Sequence, residues 1–388
     1  MKIASPTSLS TTARRLASVT LGAVALLAAP ALAAPQAKPD QIFRLNPRTN
    51  KATTVTGTVT ADGLSKIEVT RRDGREVSIN AAEVIEIAWG SGSSDFSDGG
   101  TYASRGAWEE AVKSYQQAAG DAEVREPLRA ESRLRAATSL MALAATDSSR
   151  FGDVASECDR FLADFPSSRQ VPRARSLKAR AQWLNGDAAA ARDGYRALYE
   201  TGKSGTEGYS PMVTADAAMQ AAYAALAADD SLGARELFDL AGAAFGAVES
   251  EKPSVVAVAA AGVEIAGMGE ALAKVASGDA KGARRAFESA AKSSKTSSGV
   301  ATARLGLGHC WLAEGEARKA QLEFAWVAGV DHASADRRAE ALLGLAQAGL
   351  AAGESGDANA AKTGLRRVAS QYGATPAARK AAQLLESL

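Results

Sequence analysis

Aromatic residues are scarce in this chain of 388 residues, which has 9 Phe, 7 Tyr and 5 Trp. A large β-sandwich core leans on aromatic and β-branched side chains and is a poor fit to that composition. Histidine and cysteine are scarcer still, with two of each. Two histidines, His309 and His332, cannot supply a multi-histidine metal centre, and the sequence has no phosphate-cradling glycine loop, metalloprotease helix or serine elbow. Catalytic residues, metal ligands and cofactors are therefore not expected, and the chain reads as non-enzymatic. An excess of one charge is missing as well: 45 Lys and Arg face 44 Asp and Glu. No basic field points to a nucleic acid, and protein contacts are the class of interaction left.

What the sequence has in excess is alanine, close to 90 residues. Alanine has the highest helix propensity and lets backbones approach closely, so closely packed helices are expected. Residues 1–33 are a separate matter. They carry Lys2, Arg14 and Arg15, then an apolar stretch from Leu16 to Ala29, then Ala31-Leu32-Ala33. That order resembles a cleavable secretory signal with cleavage after Ala33. The stretch is short for a spanning helix, which needs about 20 residues, and Pro30 interrupts it, so a retained anchor is the lesser reading. No cysteine follows the site, and the surroundings of Arg14-Arg15 lack the twin-arginine pattern. An exported protein, periplasmic or extracellular and with no stable membrane span after cleavage, is expected. Removing the three cations leaves 42 against 44 acids, a formal charge of −2.

Residues 34–89 change to strand-like alternation. Ile67-Glu-Val69-Thr and Val77-Ser-Ile79-Asn alternate with period two around the turn pair Asp73-Gly74. Val84-Ile-Glu-Ile87 and the run Thr53–Thr60 around Gly57 add further strands, about five in all. The unit resembles a small SH3-like or Sm-like barrel in its strand pattern, and closure into a barrel would remove its edges. A nucleic-acid role is not expected for an exported chain, and Arg71, Arg72 and Arg75 read as a solvated turn. Residues 90–100, GSGSSDFSDGG, read as a flexible linker that leaves the two modules free to reorient.

The remaining residues repeat themselves. A Gly or Asp turn is followed five residues later by an alanine, four later by a bulky residue and three later by an apolar one, as in Gly106, Ala111, Tyr115 and Ala118. The same spacing recurs from Gly186, Asp229, Gly278, Gly315 and Gly356, and a divergent copy uses Val154, Cys158 and Phe161. Offsets of four and three keep these residues on one helical stripe. The turn glycine ends the helix before it, as a left-handed cap requires. Each unit is therefore a helical hairpin, and the less regular stretch Ser250–Gly269 is expected to divide the array into two rigid halves.

This pattern resembles the tetratricopeptide repeat (TPR) family over residues 99–388. Gly99-Gly100-Thr101-Tyr102 and Leu307-Gly308-His309-Cys310-Trp311 match its small residue followed three later by an aromatic. Phe161-Leu-Ala-Asp-Phe165-Pro166-Ser-Ser resembles a turn common in exported repeat proteins of envelope assembly. Successive alanine positions lie 37 to 49 residues apart, longer than the family's 34. The expected fold class is mainly α: a TPR-like α-helical hairpin solenoid of about seven hairpins over 101–388, preceded by a small all-β module.

In such a register Arg173 and Arg180, seven apart on one helix, face the groove, where they suit a carboxylate of a peptide. Tyr223 on the next hairpin and His309 on a later one are the other candidate binding residues. Cys158 and Cys310, several repeats apart, are expected to be buried free thiols, since a disulfide needs Cα atoms within about 7 Å. The functional expectation is an exported scaffold whose partners are other envelope proteins or peptides. The alternative is an accessory subunit or envelope-polymer binding module in which the β unit makes the main contact.

Overall fold

The computed structural model describes residues 38–46, 51–90, 92–250, 252–331, 334–353 and 355–388, so the leader at 1–33 lies outside the described residues. The β module contains β1 (Asp40–Leu45), β2 (Ala52–Asp62), β3 (Lys66–Thr70), β4 (Glu76–Asn80), a 3-10 turn at Ala81–Glu83 and β5 (Val84–Ala88). All neighbours are antiparallel, in the order β4-β3-β2-β1-β5. Alternation delivers one face of each strand to a common core of Ile42, Val55, Val59, Ile67, Val69, Ile79 and Ile87. The first half of β2 pairs with β1 and the second half with β3. Gly57 sits at that change of partner, where a Cβ would strike the carbonyl oxygen of Thr70 and the side chain of Val69. The barrel is open: β4 and β5 end the strand order and do not pair with each other among the described residues.

Helices follow in hairpins. They are α1 (Ser94–Ser104) with α2 (Trp108–Gly120), α3 (Glu126–Ala144) with α4 (Phe151–Asp164), and α5 (Val171–Leu184) with α6 (Ala188–Lys203). Then come α7 (Pro211–Ala227) with α8 (Ser231–Gly246), and α9 (Pro253–Ala266) plus α10 (Gly269–Ala276) with α11 (Ala280–Ser293). Last are α12 (Ser297–Ala313) with α13 (Ala317–Val330), α14 (Ala335–Ala352) with α15 (Ser355–Gln371), and a closing α16 (Pro376–Glu386).

The turn chemistry explains the recurrence. Gly186 takes φ 98° and Gly278 takes φ 88°, and the next residue donates back to the preceding helix, Asp187 N to Gln182 O at 2.9 Å and Asp279 N to Lys274 O at 2.8 Å. This backbone ending satisfies carbonyls that the helix leaves unpaired. The same aspartates then cap the next helix, Asp187 accepting from Ala190 N and Asp279 from Gly282 N, both at 2.9 Å. Two residues thus stop one helix and start another. In the last hairpin the left-handed residue is Gly353, whereas Gly356, read as the turn, lies inside α15.

Ala111, Val154, Ala191, Ala234, Ala283, Ala320 and Ala361 fall one to each second helix, and all are buried. The bulky residues beside them fill glycine notches on neighbouring helices. Phe324 of α13 packs against both Gly308 of α12 and Gly344 of α14, leaving no room for a Cβ at either glycine.

Three expectations need correction. Residues 90–100 are not a linker throughout, because helix α1 starts at Ser94, with Ser93 Oγ accepting from Phe96 N at 3.2 Å. Phe96 anchors it edge-on against Tyr115, and Gly99 is small because the Tyr115 ring lies over it. The β module is not free to reorient, since it belongs to one compact unit with the helices, Lys38–Leu388. The array is not divided at Ser250–Gly269. There α9 and α10 meet at a 48° bend, and one apolar core continues past them from Ala179 to Cys310.

Candidate protein-binding face

The first helices of the hairpins form one layer, and the β module lies along one edge of it. Asp40, 1% exposed, is the main fastening. Both its oxygens accept from the guanidinium of Arg125, which enters α3, with one contact at 2.6 Å. It also accepts from Val59 N at 2.8 Å and Gly90 N at 2.7 Å. Arg125 further stacks over Trp89 at 5.2 Å. Two loops farther along the same edge, Arg169 Nε stands 2.7 Å from Asp62, and Gly63 makes a β-bridge to Ser168. Leu64 reaches Gly208 in the α6–α7 loop. Burial pushes the Asp62 carboxyl up to about 6, with Glu131 adding to the rise and Arg169 opposing it.

The opposite edge carries the hairpin tips, and the C-terminal hairpin returns to it. Arg180 of α5 donates to Asp336 Oδ1 of α14 at 2.6 Å and to the carbonyl of Ala374 at 2.8 Å. It also lies over Trp183 at 5.5 Å. Gly373 packs on the carbonyl of Ala145 at the end of α3, and the Arg379 guanidinium lies over Gly186. The array therefore bends round until its last hairpin touches its second and third.

Three of the four residues singled out from sequence meet around α14. Arg180 contacts it directly. Tyr223 of α7, edge-on to Phe238 at 5.3 Å, has its hydroxyl pushed up by burial, eased by Arg337 and reinforced by Glu340 and Asp336. His309 Nε2 lies 3.1 Å from Glu340 Oε1, with its ring edge-on to Phe324 at 5.1 Å. Surrounding protein raises the Glu340 carboxyl, but the His309 hydrogen bond, its charge and that of Lys380 outweigh this and leave it lowered. Glu340 is still half-exposed to solvent, as expected of a side chain in a concavity. Arg173, two turns before Arg180, is exposed and makes none of these contacts.

Sequence reasoning missed the most apolar part of this layer. Helix α9 sits between α7 and α12. It buries Ala259, Gly262, Ile265 and Ala266 and exposes Val256 (48%) and Val263 (42%), with Ala260 exposed between them. These are i, i+4 and i+7, one stripe of the helix. A helix apolar on all sides is ordinarily covered on all sides. The available signal was the absence of any charge from Pro253 to Val263. By contrast α7 presents Asp216, exposed yet with its carboxyl raised by desolvation, beside Gln220 and Tyr223. No single helix among the described residues is long and apolar enough to cross a membrane, and α9 with α10 meets the length and composition only as a bent pair. Among the described residues no group of three or more His, Cys, Asp or Glu could hold a metal ion.

No family model and no curated protein matches the chain. Among solved structures it is similar to a kinesin light chain protein of nearly identical TPR-like repeats from Podosopora anserina, at 19% identity over 50% of this chain and 92% of that one, TM-score 0.35. It is similar to the apo form of RapI at 13% identity over 72% and 75%, TM-score 0.40. BtubC (BKLC) from P. vanneervenii is similar at 16% identity over 62% and 89%, TM-score 0.31. The chain's own stacked helical hairpins, each second helix burying a small residue (Val154 in α4, alanine in the others) and a bulky one on one stripe, make it a TPR-like α-helical hairpin solenoid behind a small antiparallel sheet.

Proposed function

We propose that the chain is an exported, non-enzymatic scaffold that holds other envelope proteins or peptides on the first-helix layer of its solenoid. The observation that carries this reading is the uncovered apolar stripe Val256, Ala260 and Val263 on α9, the most apolar helix of that layer. Exposed apolar helix faces of this kind are used to bind protein. Export rests on the leader at 1–33 and its resemblance to a secretory signal.

The alternative, in which the β unit makes the main contact, draws on Ile85, 59% exposed on edge strand β5. Separate fragments do not distinguish the two readings, since cutting the modules apart strips Asp40 and Asp62 of their arginines. Full-length variants do. Cross-linking in the native envelope followed by mass spectrometry is expected to lose its partners when Val256 and Val263 become Asp and to keep them when Ile85 becomes Asp. The reverse pattern moves the partner site to the β module.

A further inference from the structure

We propose that the C-terminal hairpin is a latch, holding the solenoid curled and covering the α5 and α7 part of its first-helix layer. Four contacts between parts of the chain far apart in sequence carry the inference. Arg180 donates to Asp336 and to the Ala374 carbonyl. Gly373 seats on Ala145, and Arg379 lies over Gly186. Between these two ends stand the intervening hairpins, each touching mainly its neighbours. In a stack of that kind end-to-end contact is not required by the repeat itself, because each repeat is supported by the next.

The contact is suited to opening. No apolar residue from the second or third hairpin shares a buried core with α14, α15 and α16, whose cores hold their own residues and, through Ala341 and Ala348, those of α12 and α13. The fastening is polar. Its centre is a guanidinium shared between a half-exposed carboxylate and a main-chain carbonyl, so salt weakens it far more than it weakens the apolar cores. Glycines at 186 and 373 allow the close approach without interlocking side chains, so the faces can separate without repacking. While the latch is shut, Asp336, Arg337 and Glu340 stand within electrostatic reach of Tyr223, and the Arg180 guanidinium is occupied. A partner that uses α5 and α7 meets this side of the solenoid only after α14 to α16 move away. The latch thus rests on the scaffold reading for its purpose, but its existence is tested without a partner.

The test uses the full chain and its Arg180→Glu, Asp336→Lys and combined Arg180→Glu/Asp336→Lys variants. Small-angle scattering reads the radius of gyration, and hydrogen exchange reads the amides of 183–187 and 372–380. Each single variant is expected to expand the particle and to speed exchange in both segments about tenfold or more, the effect of one charge-assisted hydrogen bond on a two-state opening. The reversed pair is expected to return both readouts toward those of the parent. Circular dichroism shows whether a variant has kept its helices. For any that has not, the parent chain between low and high salt supplies the same comparison. Unchanged scattering and exchange in the folded variants, or in the parent across the salt series, overturns the latch. Neither result bears on partner capture at α9, so the latch and the scaffold reading fail separately.

Discussion

Replacing Asp40 with alanine removes the one acceptor on which four donors from both modules converge. The side chain is 1% exposed, and its loss leaves Arg125, 22% exposed, without its carboxylate and the amides of Val59 and Gly90 without acceptors. Breaking a buried charge pair by deleting one partner costs about 3–5 kcal/mol, since the remaining charge stays largely desolvated. Two stranded backbone donors push toward the upper end of that range. Urea unfolding followed by tryptophan fluorescence reads the loss, because Trp89 lies under Arg125. Hydrogen exchange at Val59 and Gly90 localises it, since both amides lose the bond that protects them. The expected result is a loss of about 3–5 kcal/mol in the β-module transition with fast exchange at both amides. A loss below about 1 kcal/mol, the range of an exposed pair, refutes the reasoning and makes the β module a loosely held appendage.

Asp62 gives a pH dependence with a definite sign. Its carboxyl is raised to about 6 by burial, while the unfolded chain titrates near about 3.9. Folding therefore binds a proton in this window, and the contribution present below the unfolded value is lost as pH rises through about 6, by up to about 3 kcal/mol. Between pH 4 and pH 7 the urea midpoint of the parent is expected to fall relative to that of Asp62→Asn, which has no carboxyl to titrate, and a constant difference or a relative rise contradicts the assignment. Phe324→Ala empties the space between Gly308 and Gly344, and a loss of about 3–5 kcal/mol is expected from thermal or urea unfolding. A loss under about 1 kcal/mol would mean that the neighbouring helices collapse onto the space. Cys158 and Cys310 are both free and buried, with their thiols pushed up to about 12 and about 11 by burial. Two thiols are expected to react in denaturant and neither natively, whereas none reacting in denaturant would contradict the fold.

The helical repeat was legible because its signal is local. A small residue and a bulky one at fixed offsets after a turn follow from helix geometry, and every second helix buries that pair as the spacing requires. The strands of the β module were legible for the same reason, through alternation. What sequence did not show is set by contacts between distant residues. Asp40 and Arg125 are 85 positions apart, and Arg180 and Asp336 are 156 apart. Neither pair has a spacing that a periodicity could reveal. The segment at 94–100 was misread as linker because its glycines and serines lower helix propensity, whereas the Ser93 cap and the Phe96–Tyr115 contact override it. Arg180 was read from the sequence as facing the groove to meet a partner's carboxylate, and the carboxylate beside it comes from the chain itself.

The central claim is that partners are held through α9. Native-envelope cross-linking of the full chain with Val256→Asp and Val263→Asp, against the parent and Ile85→Asp, tests it most directly. The account predicts that the α9 variant stays folded and loses its cross-linked partners while the Ile85 variant keeps them. A folded α9 variant that retains every partner contradicts it.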